Sequence, residues 1–305
     1  MARPVQSLPD VLVLGAGGTL GIAWLRGLIA GLEEAGGLDL RRCEYFVGTS
    51  AGAYVAAHLA AGRPAADLEA LHDISAEVPI DDEPPGPLRR LAGSGGRVAA
   101  AATAPFVPLA LRATRAPGAA ARAAILRTAR RPKARDLDLG AYTERLGTFD
   151  GRLRVTAVDR SSGRRVVFGS PGAPTAGVAE AVLASCSVPW LFAPVAIGGR
   201  EYVDGGVWSL SNLDAAPAGR QSEVLALLPT FGRGGPGRSA AGLLRAAGQA
   251  AGLAELQVLR ARGARTRIVA PDAGCMKAMG TNLMDGAHRG AVVAAGRVQG
   301  RRLAG

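Results

Sequence analysis

Twice within its first 61 residues the chain runs from a short apolar segment, through glycine, into a helical pattern. The first passage is Val11–Leu28, VLVLGAGGTLGIAWLRGL, and the second is Tyr45–Ala61, YFVGTSAGAYVAAHLAA. A strand that feeds a helix through a tight turn is the building unit of a parallel sheet. A glycine-rich turn at a helix start also leaves backbone N–H groups free to face an anion. That anion can be the pyrophosphate of a dinucleotide or the oxyanion of an ester being cleaved.

The remaining pattern extends the same plan. Leu153–Val158 alternates like a strand, and Val166–Phe168 comes after a hairpin-like connection. Ala193–Ile197 and Glu201–Val203 flank Gly198-Gly199, a two-residue hairpin signal. Glu223–Leu228 and Thr266–Ala270 read as buried strands, and Gly177–Cys186, Ala240–Arg262 and Asp285–Arg302 as helices. The expected fold is α/β, with a mostly parallel central sheet flanked by helices, in one domain over residues 1–305. A basic helical insertion, rich in Ala, Arg and Pro, is expected at 81–136.

The charge lies in that insertion. The chain carries a net charge of +11. Residues 86–135 hold 11 Lys or Arg (Arg122 and Arg127 among them) and no Asp or Glu, so this window carries the whole excess. Such a block favours an anionic partner. Phe106 is its only aromatic residue and no recognition module is visible, so a nucleic-acid partner is not expected. With Leu109, Leu111, Ile125 and Leu126 nearby, it is a candidate lid or docking surface for an anionic membrane.

MARPVQSLPD has no apolar leader pattern, and the apolar stretch Val98–Leu111 is too short to span a bilayer and contains Pro105 and Pro108. Cys43, Cys186 and Cys275 are odd in number and widely spaced, which argues against a disulfide framework or a zinc site. A cytoplasmic protein, peripheral to a membrane at most, is expected, with no metal and no cofactor.

A dinucleotide loop requires an acid at the end of the second strand, to hold the ribose. Here Tyr45-Phe46-Val47 ends in Gly48, the first residue of Gly48-Thr49-Ser50-Ala51-Gly52. G-x-S-x-G between a strand and a helix points to a nucleophilic serine, because the glycines allow a sharp turn that lifts the hydroxyl above the sheet. The bland alternative is that Ser50 merely caps the helix. A nucleophile needs a base. His58 should point away from the turn, and His72 lies on a stretch expected at the surface, so His288 is the one histidine late enough for a Ser-Asp-His order. Asp204, after a strand and before Gly205-Gly206, is the other candidate; its bland reading is a turn aspartate.

Glycine loop, GTSAG and a distant DGG, in that order, resemble the patatin-like phospholipases. The likeness covers 11–63 and 152–216, and includes AVLASCSVPWLFAPVAIGGREYVDGGVWSLSNLDAA from Ala181 to Ala216. It implies the patatin-like variant of the α/β-hydrolase architecture and a lipid or phospholipid substrate. On the matching positions, Ser50 would be nucleophile and Asp204 general base, without a histidine. The N–H groups of Gly17 and Gly18 would form an oxyanion hole. Two positions depart from the family pattern: Ala16 stands where a further glycine is usual, and Leu20 where a cation is frequent.

Overall fold

In a computed structural model, residues 5, 7–68, 118–128, 146–189, 191–231 and 240–305 are described. Their strands are β1 (Val11–Leu14), β2 (Tyr45–Thr49), β3 (Leu153–Asp159), β4 (Arg165–Phe168), β5 (Val195–Ile197), β6 (Arg200–Asp204), β7 (Glu223–Leu227) and β8 (Arg265–Val269). The helices are α1 (Gly18–Gly36), α2 (Ala51–Ala60), α3 (Gly118–Thr128), α4 (Val178–Cys186), α5 (Ala240–Ala261), α6 (Ala273–Met279) and α7 (Arg289–Ala304).

The sheet runs β5-β6-β3-β2-β1-β7-β8, with β4 pairing β3 off this path. Its centre is parallel: β1 pairs with β2 and β7, β2 with β3, and β7 with β8. The β3–β4, β3–β6 and β5–β6 pairings are antiparallel. The expected mostly parallel sheet flanked by helices is thus present, with an antiparallel end around β6. The Gly198-Gly199 turn joins β5 to β6 with φ of 55° and 75°, the left-handed backbone that a tight hairpin turn requires.

Both sheet faces are covered, and β1 shows why its four residues are all apolar. Leu12 and Leu14 pack with Leu20, Leu25, Leu28 and Phe46 on one face. Val11 and Val13 point the other way and pack with Val47, Leu213, Val224 and Leu256. Alternating side chains of a central strand meet helices on each side, so neither half of the strand tolerates a charge.

The helix that begins at the glycine loop is held by the end of the chain. Cβ atoms built on Gly27 and Gly31 of α1 would lie 2.1 Å from the Val293 carbonyl oxygen and 2.3 Å from that of Arg297. One on Gly300 of α7 would lie 2.2 Å from the Leu28 oxygen. The two helices therefore meet backbone to backbone. Trp24 Nε1 donates to Gln299 Oε1 at 2.9 Å, and Gln299 Nε2 donates to the Ala270 carbonyl at 2.7 Å. These bonds join α1, α7 and the end of β8 in the core.

Three sequence expectations change. The helix expected over Asp285–Arg302 divides: Asp285 accepts from the Ala287 N–H and starts a short 3-10 turn, Gly286–His288, before α7 begins. The helix α6 was not expected; Asp272 caps it by accepting from the Cys275 N–H. Of the basic insertion at 81–136, only α3 falls within the described residues. There Arg122 is not a surface cation. It is 1% exposed, its guanidinium lies 4.3 Å from the Trp208 ring centroid, and Nε donates to the Gly163 carbonyl. Leu126 packs beside it with Val158, Val203 and Val207. Arg127 is exposed. No helix among the described residues is long and apolar enough to cross a membrane.

Candidate active site

Ser50 stands between β2 and α2 with φ 52° and ψ −121°. A non-glycine residue in such backbone costs about 1–3 kcal/mol, and neighbouring contacts must hold it there. The flanking glycines make the turn possible through close approach. A Cβ on Gly52 would lie 2.0 Å from the Leu14 carbonyl oxygen, and one on Gly48 would lie 2.4 Å from Ala53 Cα. Ser185 of α4 then fixes the turn: its Oγ accepts from the Ser50 N–H at 2.9 Å and donates to the Thr156 carbonyl at 2.7 Å. Although Ser50 occupies the cap position of α2, its side chain makes no capping bond.

The Ser50 side chain instead acts on Asp204, whose carboxyl pKa it lowers. Asp204 ends β6, in register with Ala157 of β3, one residue beyond the Thr49–Thr156 pair of β2 and β3. The antiparallel end of the sheet thus carries the carboxylate to the C-terminal edge of β2. Asp204 is 3% exposed. Burial pushes its carboxyl up from 3.8 to about 7, against the lowering effects of the Ser50 side chain and of the Gly206 N–H. The Gly206 N–H donates to Oδ1 at 2.6 Å, so Asp204 also shapes the turn after it. The turn-aspartate reading is met by this bond.

The glycine loop runs beside both turns: a Cβ on Gly52 would lie 2.8 Å from the Gly15 carbonyl oxygen, and one on Gly206 3.8 Å from Ala16 Cβ. Gly18 has φ +61°, and neither its N–H nor that of Gly17 enters a hydrogen bond among the described residues. The neighbouring N–H groups are taken: Gly15 donates to the Leu227 carbonyl, Ala16 to Leu210 and Leu20 to Leu283. Ala16 needs no positive φ and packs on Leu210, so an alanine fits there. Leu20 is fully buried, a place where an unpaired cation would be costly. The loop's anchorage is therefore backbone to backbone.

The histidines are elsewhere. His288 Nδ1 lies 3.0 Å from Asp285 Oδ2, and both side chains are substantially exposed. No hydrogen bond among the described residues joins His288 to Ser50 or Asp204. His58 is buried and bonded through Nε2 to the Pro64 carbonyl. His72 lies outside the described residues. No group of three or more His, Cys, Asp or Glu among the described residues could hold a metal ion.

Sequence reasoning missed the polar layer under the site. Thr49 and Thr156 hydroxyls lie 2.8 Å apart, and Asn212 reaches both. All three are fully buried, as is Ser185. The signal was faint: Ser209-Leu210-Ser211-Asn212 is a polar run after the DGG turn, and polar residues that become buried must find partners.

The family model described as Patatin-like phospholipase matches residues 12–218. Among solved structures, VipD from Legionella pneumophila is similar at 15% identity, over 98% of this chain and 67% of that one, with a TM-score of 0.42. The ExoU–SpcU complex of the Pseudomonas aeruginosa type III secretion system is similar at 22% identity, over 99% of this chain and 52% of that one, with a TM-score of 0.40. The chain thus spans about half the length of ExoU. Among curated proteins, none matches.

Proposed function

The chain belongs to the patatin-like phospholipase family, and we propose that it hydrolyses acyl esters of lipids with Ser50 as nucleophile and Asp204 as general base. The supporting observation is a serine in strained backbone acting on a buried carboxyl raised to about 7. A carboxylate of ordinary acidity is a weak base at neutral pH; raising it improves the match.

In this reading Asp204 accepts the Ser50 proton as the oxygen attacks the ester carbonyl. The bond from Ser50 Oγ to the acyl carbon forms, and the carbonyl electrons move onto oxygen. The Gly17 and Gly18 N–H groups, at the start of α1, hold that oxyanion. Its collapse expels the alcohol, which takes the proton from Asp204. Water then repeats the sequence on the acyl-enzyme and releases the fatty acid. The reaction needs no cofactor. Peripheral contact with an anionic membrane through residues 86–135 belongs to the same reading, supported by the charge of that window; equal co-sedimentation with anionic and neutral vesicles would remove it.

Hydrolysis of p-nitrophenyl esters and of phospholipid vesicles tests the assignment. Ser50→Ala should abolish turnover while leaving the fold intact, and His288→Ala should leave it near wild type. Collapse of activity in the histidine variant would favour the Ser-His-Asp alternative. A wild type without turnover would leave a lipid-binding scaffold as the better reading.

A further inference from the structure

Between Asp204 and β7 the chain forms a loop, Gly205–Ser222, and one residue of it bonds to the neighbours in sequence of both Ser50 and Asp204. Asn212 is fully buried and adopts φ 47°, ψ 36°. Left-handed backbone is tolerated by asparagine better than by most residues, and here it turns the amide inward. Nδ2 reaches the Ser209 carbonyl at 2.5 Å, Thr49 Oγ1 at 3.1 Å, Thr156 Oγ1 at 3.3 Å and the Gly205 carbonyl at 3.4 Å. Thr49 immediately precedes Ser50, and Gly205 comes directly after Asp204.

The direction of these bonds is fixed from outside. Asn212 Oδ1 accepts from Arg165 Nη1 at 3.0 Å, and the same Nη1 bonds Asp214 at 2.6 Å. A guanidinium can only donate, so the amide nitrogen must face the threonines. Thr156 Oγ1 in turn donates to the Gly48 carbonyl at 3.3 Å. The two threonine hydroxyls share a further hydrogen bond at 2.8 Å, in which either can donate. A connected network results: Arg165 to Asn212, Asn212 to Thr49 and Thr156, Thr49 and Thr156 to each other, and Thr156 to Gly48. The Thr156 carbonyl also receives Ser185, which holds the Ser50 N–H.

We infer that Asn212 is a positioning residue, whose amide locks the Asp204 turn to the Ser50 turn through Thr49 and so sets the alignment of carboxylate and hydroxyl. The inference rests on the Ser50–Asp204 reading above. It goes further, because it makes a buried amide that touches no substrate a determinant of rate. Misalignment of reacting groups by an ångström can cost about 100-fold. Packing alone would predict a loss of stability with each folded molecule still turning over normally.

Three substitutions separate these cases. Asn212→Gly keeps left-handed backbone accessible and removes the amide. Thr49→Val removes the hydroxyl with little change of shape, and Thr49→Ser retains it. Turnover of a p-nitrophenyl ester is measured per site titrated to completion with a fluorophosphonate, beside thermal unfolding. Expected are a fall in kcat of about 10-fold or more for N212G and T49V, with KM changed less than about twofold. T49S should lie near wild type, and the N212G/T49V pair should fall short of the product of the single losses, because both break one network. A kcat per titrated site within about twofold of wild type in N212G overturns the inference, whatever the loss of stability. A wild type that neither turns over nor reacts at Ser50 removes the Ser50–Asp204 reading and this one with it; an active wild type beside an active N212G removes this one alone.

Discussion

The Asp204 carboxyl, 3% exposed at the end of β6, receives a hydrogen bond from the Gly206 N–H at 2.6 Å, and the Ser50 side chain also acts to lower its pKa. Both neighbours favour its charged form, yet burial dominates and lifts its pKa to about 7. With Asp204 as the proposed base, rate and stability are both expected to depend on that balance.

The rate should depend on pH. A base must be ionised to accept the Ser50 proton. With the free carboxyl near 7, kcat/KM for a neutral ester should fall about tenfold per pH unit below that value and level off above it. Initial rates between pH 5 and 9 measure this. A profile flat through that range would mean that no group titrating near 7 acts as the base.

Stability should move in the opposite sense. The folded-state pKa of Asp204 lies above the unfolded value, so folding favours the protonated form. That contribution is fully present below pH ~4 and is lost as pH rises through about 7. Asp204→Asn carries no charge to bury. It should therefore be more stable than wild type at pH 8, by up to about 4 kcal/mol, with the gap closing toward pH 4. Thermal unfolding of both proteins across this range is the check. A gap that is constant with pH would contradict the raised carboxyl.

The contact between α1 and the end of the chain should be intolerant of a methyl group. Gly27→Ala would place one 2.1 Å from the Val293 carbonyl oxygen, which belongs to backbone and cannot swing aside. The helices must separate, at a cost of about 1–3 kcal/mol or more. Because α1 starts at the Gly17-Gly18 loop, ester turnover should fall together with stability. Gly37→Ala, where a Cβ meets nothing within 4 Å, gives the comparison in open space; its φ of +63° predicts a smaller, purely backbone loss. Equal effects of the two substitutions, read by thermal unfolding, would contradict the close helix contact.

Much of this arrangement is legible in the sequence because its signals are local. Four apolar residues before Gly15, the glycines around Ser50 and the Gly198-Gly199 turn each constrain backbone within a few residues. The strands they predict appear within one or two residues of their expected ends. What escapes is set by distance along the chain. Gly27 and Gly31 meet Gly296 and Gly300 across more than 260 positions, and neither segment announces its partner. Arg122 reads as part of a solvated basic run, but the Trp208 face and the Gly163 carbonyl receive its guanidinium in the interior. Asn212 reads as a loop residue, and its role depends on threonines contributed by two other strands. Asp204 itself gives a half-signal: DGG marks a turn, while the burial that raises its pKa depends on the elements packed around it.

The most direct measurement is the site and rate of covalent modification by a fluorophosphonate, read by intact-protein mass and peptide mapping. The Ser50–Asp204 pair predicts one adduct per chain, on Ser50. It also predicts no adduct in Ser50→Ala and labelling slowed by about 100-fold or more in Asp204→Asn, with His288→Ala unchanged. An adduct on another residue, or a rate indifferent to Asp204 and dependent on His288, would contradict it.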